Sequence, residues 1–228
     1  MSLQSYISSL TPQKRGELIQ AAETLANQAG DQSSLEAMMR ERADQHTLSI
    51  TEGEMTHKEF TEEAYDGYVT MALGAALISG VPVSDLNRYV LPLVSEKLVY
   101  VEDLVSRTKI SYDNDWLVLT DTGEKVTVPP YDEQDALMKK SPKTPTGLFN
   151  QLNSFYATPS YYWFSLGAGI LAQRSGNKQM RRIAPMDEKT CSRCKQYHES
   201  GWVNMGELPL PGDECDCYHN CRCKVEYR

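Results

Sequence analysis

No cysteine occurs in the first 190 residues of this 228-residue chain, so disulfides and cysteine-bound metals are excluded from that part. The start of the chain has no basic segment followed by an apolar core, and we therefore expect no secretory signal. Two uncharged stretches, residues 68–83 and 157–173, are rich in Gly, Ser and Tyr. Both are shorter than the roughly 20 residues that a membrane span needs. We expect them to form buried helices, and we expect no membrane partner.

Motifs of familiar enzyme classes are also missing from the sequence. It contains no glycine-rich phosphate loop, no nucleophile elbow and no arrangement typical of a catalytic triad. His46 and His57 are isolated on polar segments, which predicts that both are solvated surface residues. These observations favour a protein that is not an enzyme.

Positive charge is scarce, since the formal net charge is -8. The acidic excess lies in residues 1–157, which carry 13 basic and 23 acidic side chains, whereas residues 158–228 carry ten basic and eight acidic ones. Contacts to DNA phosphates require clustered Lys and Arg. The composition therefore argues against a duplex-DNA binder, and we expect no specific nucleic-acid partner.

The six cysteines are concentrated in the last 38 residues, as Cys191-x-x-Cys194 and then Cys215, Cys217, Cys221 and Cys223. A C-x-x-C pair followed by a second cysteine cluster is a spacing that lets four thiolates bind one zinc ion. A disulfide framework or free thiols are the alternatives, but a disulfide framework is typical of small secreted chains that are rich in cysteine throughout. The sequence therefore predicts zinc as the cofactor of a C-terminal module.

The basic residues around the cysteines would offset the negative charge of such a zinc–thiolate centre. Four thiolates around one zinc ion leave a charge of about -2, which nearby cations offset. Seven residues of this kind are Arg181, Arg182, Lys189, Arg193, Lys195, Arg222 and Lys224. They need no nucleic acid to explain them.

Helical spacing of apolar residues dominates the remainder of the chain, which predicts a mainly α fold. Ser or Thr caps are expected at the helix starts, with Glu36 and Glu59 completing capping boxes from Ser33 and Thr56. Pro92 should break or kink the fourth helix. The expected limits are Thr11 to Gly30, Ser33 onward, Thr56 to Gly80, and Ser84 to about Arg107.

Residues 115–129 change to an alternating pattern with a turn at Asp121-Thr-Gly123, which predicts one β-hairpin protruding from the helical body. Its apolar residues 116–119 would occupy both faces, although a two-stranded element alone can bury only one. A contact with another subunit or component would cover the second face; the alternative is that the hairpin folds onto its own helices. Residues 130–147 are predicted to be a loop with a short helix near 135–139.

A last helix is predicted to start at Thr158-Pro159 and to end at Gly176. Aromatic and aliphatic residues cover most of its circumference between 161 and 171, so it should be buried by neighbouring helices or another subunit. A stacking platform for nucleic-acid bases is the less favoured interpretation of the aromatic run 161–164. Residues 180–185 are then predicted to form a strand that leads to Asp187 and the first cysteine pair. The sequence thus divides into a helical body, 1–157, and a buried helix with a zinc module, 158–228.

The segment from Asp187-Glu-Lys-Thr-Cys191 to Cys194, the Pro211-Gly212 turn and the closing run Cys217-Tyr-His-Asn-Cys221-Arg-Cys223 resemble a known signature. It is the C-terminal signature of the tailed-phage head-morphogenesis, or minor head protein, family. The resemblance covers residues 158–228 well and the helices around 55–107 loosely.

The resemblance implies that Cys191 and Cys194 are the first ligand pair, and that Cys217 with Cys221 or Cys223 is the second. Cys215 has no counterpart, and His219 is one residue out of place for a ligand, so it is interpreted as a bystander. Asp187 and Thr190 resemble turn-forming residues whose side chains bond backbone N–H groups. A closed structural zinc site is expected, although Glu214 and Asp216 flank the cluster as carboxylates that an open catalytic site would use.

The function that the resemblance implies is a structural component of a tailed-phage virion, either a minor head protein or a head-vertex or connector protein. Its partners would be capsid, portal or connector proteins, and it would act as an oligomer or within an assembly. Its location would be the virion, assembled in the host cytoplasm. An intracellular zinc-ribbon adaptor or nucleic-acid-binding regulator is the alternative.

Overall fold

The computed structural model describes Tyr6 and residues 9–97, 99–113, 141–142, 144–216 and 221–228. Within them the chain is mainly helical, with a small three-stranded sheet and a C-terminal cysteine cluster, which confirms the predicted fold class. The hairpin predicted at 115–129 and the short helix predicted near 135–139 lie outside the described residues. The helices are α1 Pro12–Ala29, α2 Gln32–Thr51, α3 His57–Ile78, α4 Val83–Asp85, α5 Leu91–Lys97, α6 Val99–Asp113, α7 Pro145–Arg174 and α8 Ser192–Glu199.

The starts of α1 and α3 are capped as predicted. The Thr11 hydroxyl accepts from the N–H of Lys14, and Thr56 and Glu59 form a complete capping box. The N-cap of α2 was predicted wrongly. It is Asp31, whose carboxylate accepts the N–H of Ser34, and not Ser33. A carboxylate two residues earlier supplies the same type of acceptor, so the helix also begins two residues sooner, at Gln32.

The predicted interruption of the fourth helix takes the form of a π-helical turn, Leu86–Val90, between α4 and α5. Pro92 lies in the first turn of α5 and has no N–H to donate to a preceding carbonyl. The wider turn carries the N–H of Leu91 to the carbonyl of Leu86, five residues back. Val94 of α5 is fully buried.

Helix α7 begins 14 residues before its predicted start. Thr144 caps it and Pro145 occupies its first turn, whereas Pro159 lies inside the helix. The same Thr-Pro pair thus occurs twice, and the second occurrence is tolerated within a helix whose neighbours hold it in place. Residues 145–147 are consequently helical rather than part of the predicted loop, and the expected division after residue 157 falls within α7.

The core of the body forms where α7 packs against α2 and α3. Trp163 is fully buried there, and its ring meets that of Tyr68 edge-on at 6.3 Å. Gly167 lets α7 approach α3 closely, because a Cβ at this position would lie 3.1 Å from the Cα of Ala76. The aromatic run 161–164 thus includes the core tryptophan, as the preferred interpretation predicts. None of the described helices has the length and apolar content that crossing a membrane requires.

The two histidines do not lie on the surface, which corrects the prediction for both. His46 is only 5% exposed, and its Nε2 lies 2.8 Å from the carboxylate of Glu63. Its Nδ1 lies 3.2 Å from the hydroxyl of Tyr156, which is itself fully buried. His57 is half-buried, with Nε2 3.1 Å from the carbonyl of Val105. Gln45 beside His46 and Thr56 and Lys58 beside His57 are exposed, so these neighbours in sequence gave no sign that the two rings are packed.

The buried imidazole makes stability depend on pH. Burial lowers the pKa of His46, and Arg42 lowers it further, against the opposing effect of Glu63. The unfolded chain therefore binds the proton more readily, so the free energy of unfolding should fall as the pH drops below about 6.5. Urea titrations across this range measure the slope, which His46→Gln should flatten. A slope that is the same in the variant would show that His46 is not its source.

Candidate metal centre

Three short strands lie beside the cysteine cluster in the sequence and in the fold. They are β1 Gln179–Ile183, β2 Val203–Asn204 and β3 Lys224–Tyr227. They form an antiparallel sheet in the order β2-β1-β3. The strand predicted at 180–185 is confirmed as β1. Because side chains alternate along a strand, Met180 and Arg182 face inward while Arg181 faces solvent, where it forms an ion pair with Glu226. The inner face of β1 looks towards the cysteines.

The turn after β1 is fixed by Asp187, as the sequence predicts. Its carboxylate accepts the N–H of Lys189 at 3.1 Å and the hydroxyl of Thr190 at 2.9 Å. Arg222 donates to both carboxylate oxygens, at 2.6 and 2.7 Å, and its guanidinium holds the pKa of Asp187 well below its usual range. Thr190 contacts this carboxylate rather than a backbone N–H, which corrects the role expected of its side chain. The turn delivers Cys191 to the N-cap of α8.

The sulfur atoms of Cys194, Cys221 and Cys223 all lie within 4.8 Å of one another. Those of Cys194 and Cys221 are 3.8 Å apart, far beyond the roughly 2.05 Å of a disulfide bond. No disulfide joins the five described cysteines. A cavity of about 10 Å³ adjoins the group and is lined by Cys191, Cys194 and Cys223. This group of three thiols could hold a metal ion.

The other predicted ligands have different placements. Cys191 lines the cavity, and its sulfur accepts the N–H of Cys194 at 3.4 Å, but it is not within the group of three. Cys215 is buried in the same apolar cluster as Cys194 and Cys223. Cys217 and His219 lie outside the described residues. The structure therefore brings both Cys221 and Cys223 to the group, where the sequence left a choice between them.

Arg182 is the residue of the site whose importance the sequence did not reveal. It is 1% exposed, and its Nη2 donates to the sulfurs of Cys221 at 3.0 Å and Cys194 at 3.5 Å. Its Nη1 donates to the carbonyl of Pro209 at 3.0 Å, and the guanidinium covers the ring of Tyr197. No carboxylate among the described residues pairs with it. Strand alternation could have identified it, since Arg182 occupies an inward position two residues from Met180.

Charge and hydrogen bonding shift the ionisation of these groups. The hydrogen bond with the Cys223 side chain, assisted by Arg182, lowers the pKa of the Cys221 thiol to about 3 against the effect of burial. The same hydrogen bond and burial raise the pKa of Cys223. Burial alone would lower the pKa of Arg182, but Cys221 and Cys223 outweigh it and raise that pKa.

The C-terminal segment that contains the cysteine cluster packs directly on the helical body. The hydroxyl of Tyr161 donates to the carbonyl of Cys223 at 2.6 Å, and that of Tyr227 donates to the carbonyl of Ser165 at 3.1 Å. Asp213 forms an ion pair of 3.2 Å with Lys97 at the end of α5. The contacts of Tyr161 and Ser165 show that the C-terminal segment covers one side of α7, which explains part of that helix's nearly all-round apolar character.

Asp216 and Glu214, which flank the cluster, make contacts at the surface and not with the three sulfurs. Asp216 accepts the hydroxyl of Ser192 at 3.1 Å and lies 3.5 Å from Arg193, while Glu214 offers its backbone carbonyl to Tyr197. Neither carboxylate joins the group of three sulfurs. The arrangement suits metal binding by thiolates alone. No family model, no curated protein and no solved structure matches this chain.

Proposed function

We propose that residues 179–228 form a structural zinc module, in which Cys194, Cys221 and Cys223 bind the metal with a fourth cysteine. The observation that carries this proposal is the buried guanidinium of Arg182 against two sulfurs. A buried cation requires an anionic partner, because desolvating an unpaired charge is costly. Thiolates supply that anion, whereas a disulfide between these cysteines would leave Arg182 buried against neutral sulfur.

Zinc is the metal that the donor set favours. Four thiolates in tetrahedral geometry are typical of structural zinc sites, and soft thiolate ligands disfavour magnesium and calcium. Cys191 is the candidate for the fourth ligand that lies beside the cavity, and Cys217 is the candidate that the family resemblance implies. Such a site is closed, so the metal would stabilise the fold and no position would remain for substrate.

The protein as a whole is proposed to be a structural component of a tailed-phage virion that acts through protein–protein contacts. The resemblance of residues 158–228 to minor head proteins supports this role. The firm packing of the module against α7 also suits a part that transmits contacts rather than one that performs chemistry. Capsid, portal or connector proteins would be its partners.

Two experiments test these proposals separately. Metal analysis of protein purified without chelator should find one zinc ion per chain; protein with no zinc and intact disulfides by non-reducing mass spectrometry would refute the zinc module. Mass spectrometry of purified phage particles should detect the chain in constant ratio to the major capsid protein. Absence from both particles and assembly intermediates would refute the virion role. Nucleic-acid binding that weakens steeply with salt would favour the regulator instead.

A further inference from the structure

Arg182 and Arg181 are neighbours in sequence that occupy opposite faces of β1. Arg181 lies in solvent with Glu226, at 2.6 Å. Arg182 lies beneath the sheet with both terminal nitrogens engaged, while its Nε has no acceptor among the described residues. The orientation of the buried guanidinium therefore favours contact with sulfur over complete satisfaction of its own N–H groups.

We propose that Arg182 is the counter-cation of the zinc–thiolate centre and weakens the electron donation of Cys194 and Cys221 to the metal. This inference rests on the zinc centre proposed above and deepens it. The zinc ion with four thiolates carries a charge of about -2, and one buried guanidinium reduces it to about -1. A lower net charge is easier to keep in an interior of low dielectric constant.

The hydrogen bonds act on the same sulfurs as the charge. Each N–H that points at a thiolate engages a lone pair that would otherwise be donated to the metal or to an electrophile, and charge-assisted hydrogen bonds are the stronger kind. Groups that contact metal ligands in this way tune the metal site without binding the ion. Arg182 is thus a positioning residue, and it should also protect the centre from alkylation and oxidation.

Full-length protein loaded with Co²⁺ in place of zinc provides the test, because its spectrum reports geometry and sulfur donation separately. In Arg182→Met the visible bands of tetrahedral cobalt should persist, while the sulfur-to-cobalt charge-transfer band should move to lower energy. Arg182→Lys, which keeps the charge but loses the planar fork, should give an intermediate shift. Zinc affinity should weaken about 10- to 100-fold in Arg182→Met. The control Arg181→Gln should match the wild type in both measurements.

The outcomes separate this inference from the zinc centre itself. Wild-type protein that takes up neither metal overturns the centre and the inference together. Wild-type protein that loads normally, with charge-transfer bands unmoved in both Arg182 variants, overturns the inference alone. If Arg182→Met does not load, the Arg182→Lys spectrum decides: a shifted band supports the role of the guanidinium, and an unchanged band refutes it.

Discussion

Replacement of Cys194 with serine is expected to abolish metal binding and to unfold the C-terminal module. Cys194 is buried, its sulfur belongs to the group of three, and it lies 3.5 Å from Arg182. Structural zinc supplies on the order of 10 kcal/mol of folding free energy in small modules, and a serine hydroxyl is a poor substitute for a thiolate ligand. Zinc stoichiometry and limited proteolysis after residue 178 measure the effect.

Cys215→Ser is the matched control, because Cys215 is equally buried in the same cluster but its sulfur lies outside the group of three. This variant should keep its zinc, and its free energy of unfolding should fall by only about 1 kcal/mol, because a hydroxyl then lies in an apolar site. Complete loss of zinc in Cys215→Ser, with zinc retained in Cys194→Ser, would refute the assignment of ligands.

Replacement of Trp163 with alanine should destabilise the helical body by about 3–5 kcal/mol, which is the usual cost of emptying a buried aromatic site. The ring is fully buried between α7 and α3, in edge contact with Tyr68 and with Tyr162 at 5.1 Å. Urea unfolding followed by far-ultraviolet circular dichroism reports the change through the α-helical signal.

Trp202→Ala is the control for this second substitution. Trp202 is half-buried on the sheet, between the guanidinium groups of Arg181 and Arg228 at 4.8 and 4.3 Å from its ring. Exposed contacts of this kind contribute about 0.5–1 kcal/mol each. Equal losses in the two variants would contradict a core role for Trp163, and nucleic-acid binding lost only in Trp163→Ala would revive the stacking interpretation.

Local signals in the sequence were sufficient for several elements. The caps at Thr11 and Thr56 and the strand after Met180 depend on short-range chemistry, and all three were found where the residues place them. Thr158-Pro159 gave a wrong helix start for the same reason. A Thr-Pro pair is a local signal, and it does not show whether a helix already began further upstream. Pro159 is accommodated inside α7, a helix that packs against α2 and α3, and that packing depends on residues far from it in sequence.

The site shows the same division between local and distant information. The cysteine spacing indicates a metal-binding cluster, but not that Cys221 and Cys223 both reach Cys194, because that depends on how β3 pairs with β1. Arg182 was one of seven basic residues in the sequence, and the alternation of side chains along β1 separates it from Arg181. His46 was misassigned since Glu63 and Tyr156, its partners, are 17 and 110 residues away.

The segment 209–213 touches the thiol group at one end and the helical body at the other. The carbonyl of Pro209 accepts from Arg182, the backbone of Gly212 helps to lower the pKa of the Cys221 thiol, and Asp213 forms an ion pair with Lys97 on α5. An ion bound to the cysteines would therefore also stabilise segment 209–213 and its contact with α5. Part of the free energy of metal binding would appear as stability of that contact, because the ion binds only the folded arrangement. The free-metal concentration would then set how stably the cysteine cluster is attached to the helical body. A chelating buffer would destabilise this contact and leave the rest of the fold unchanged.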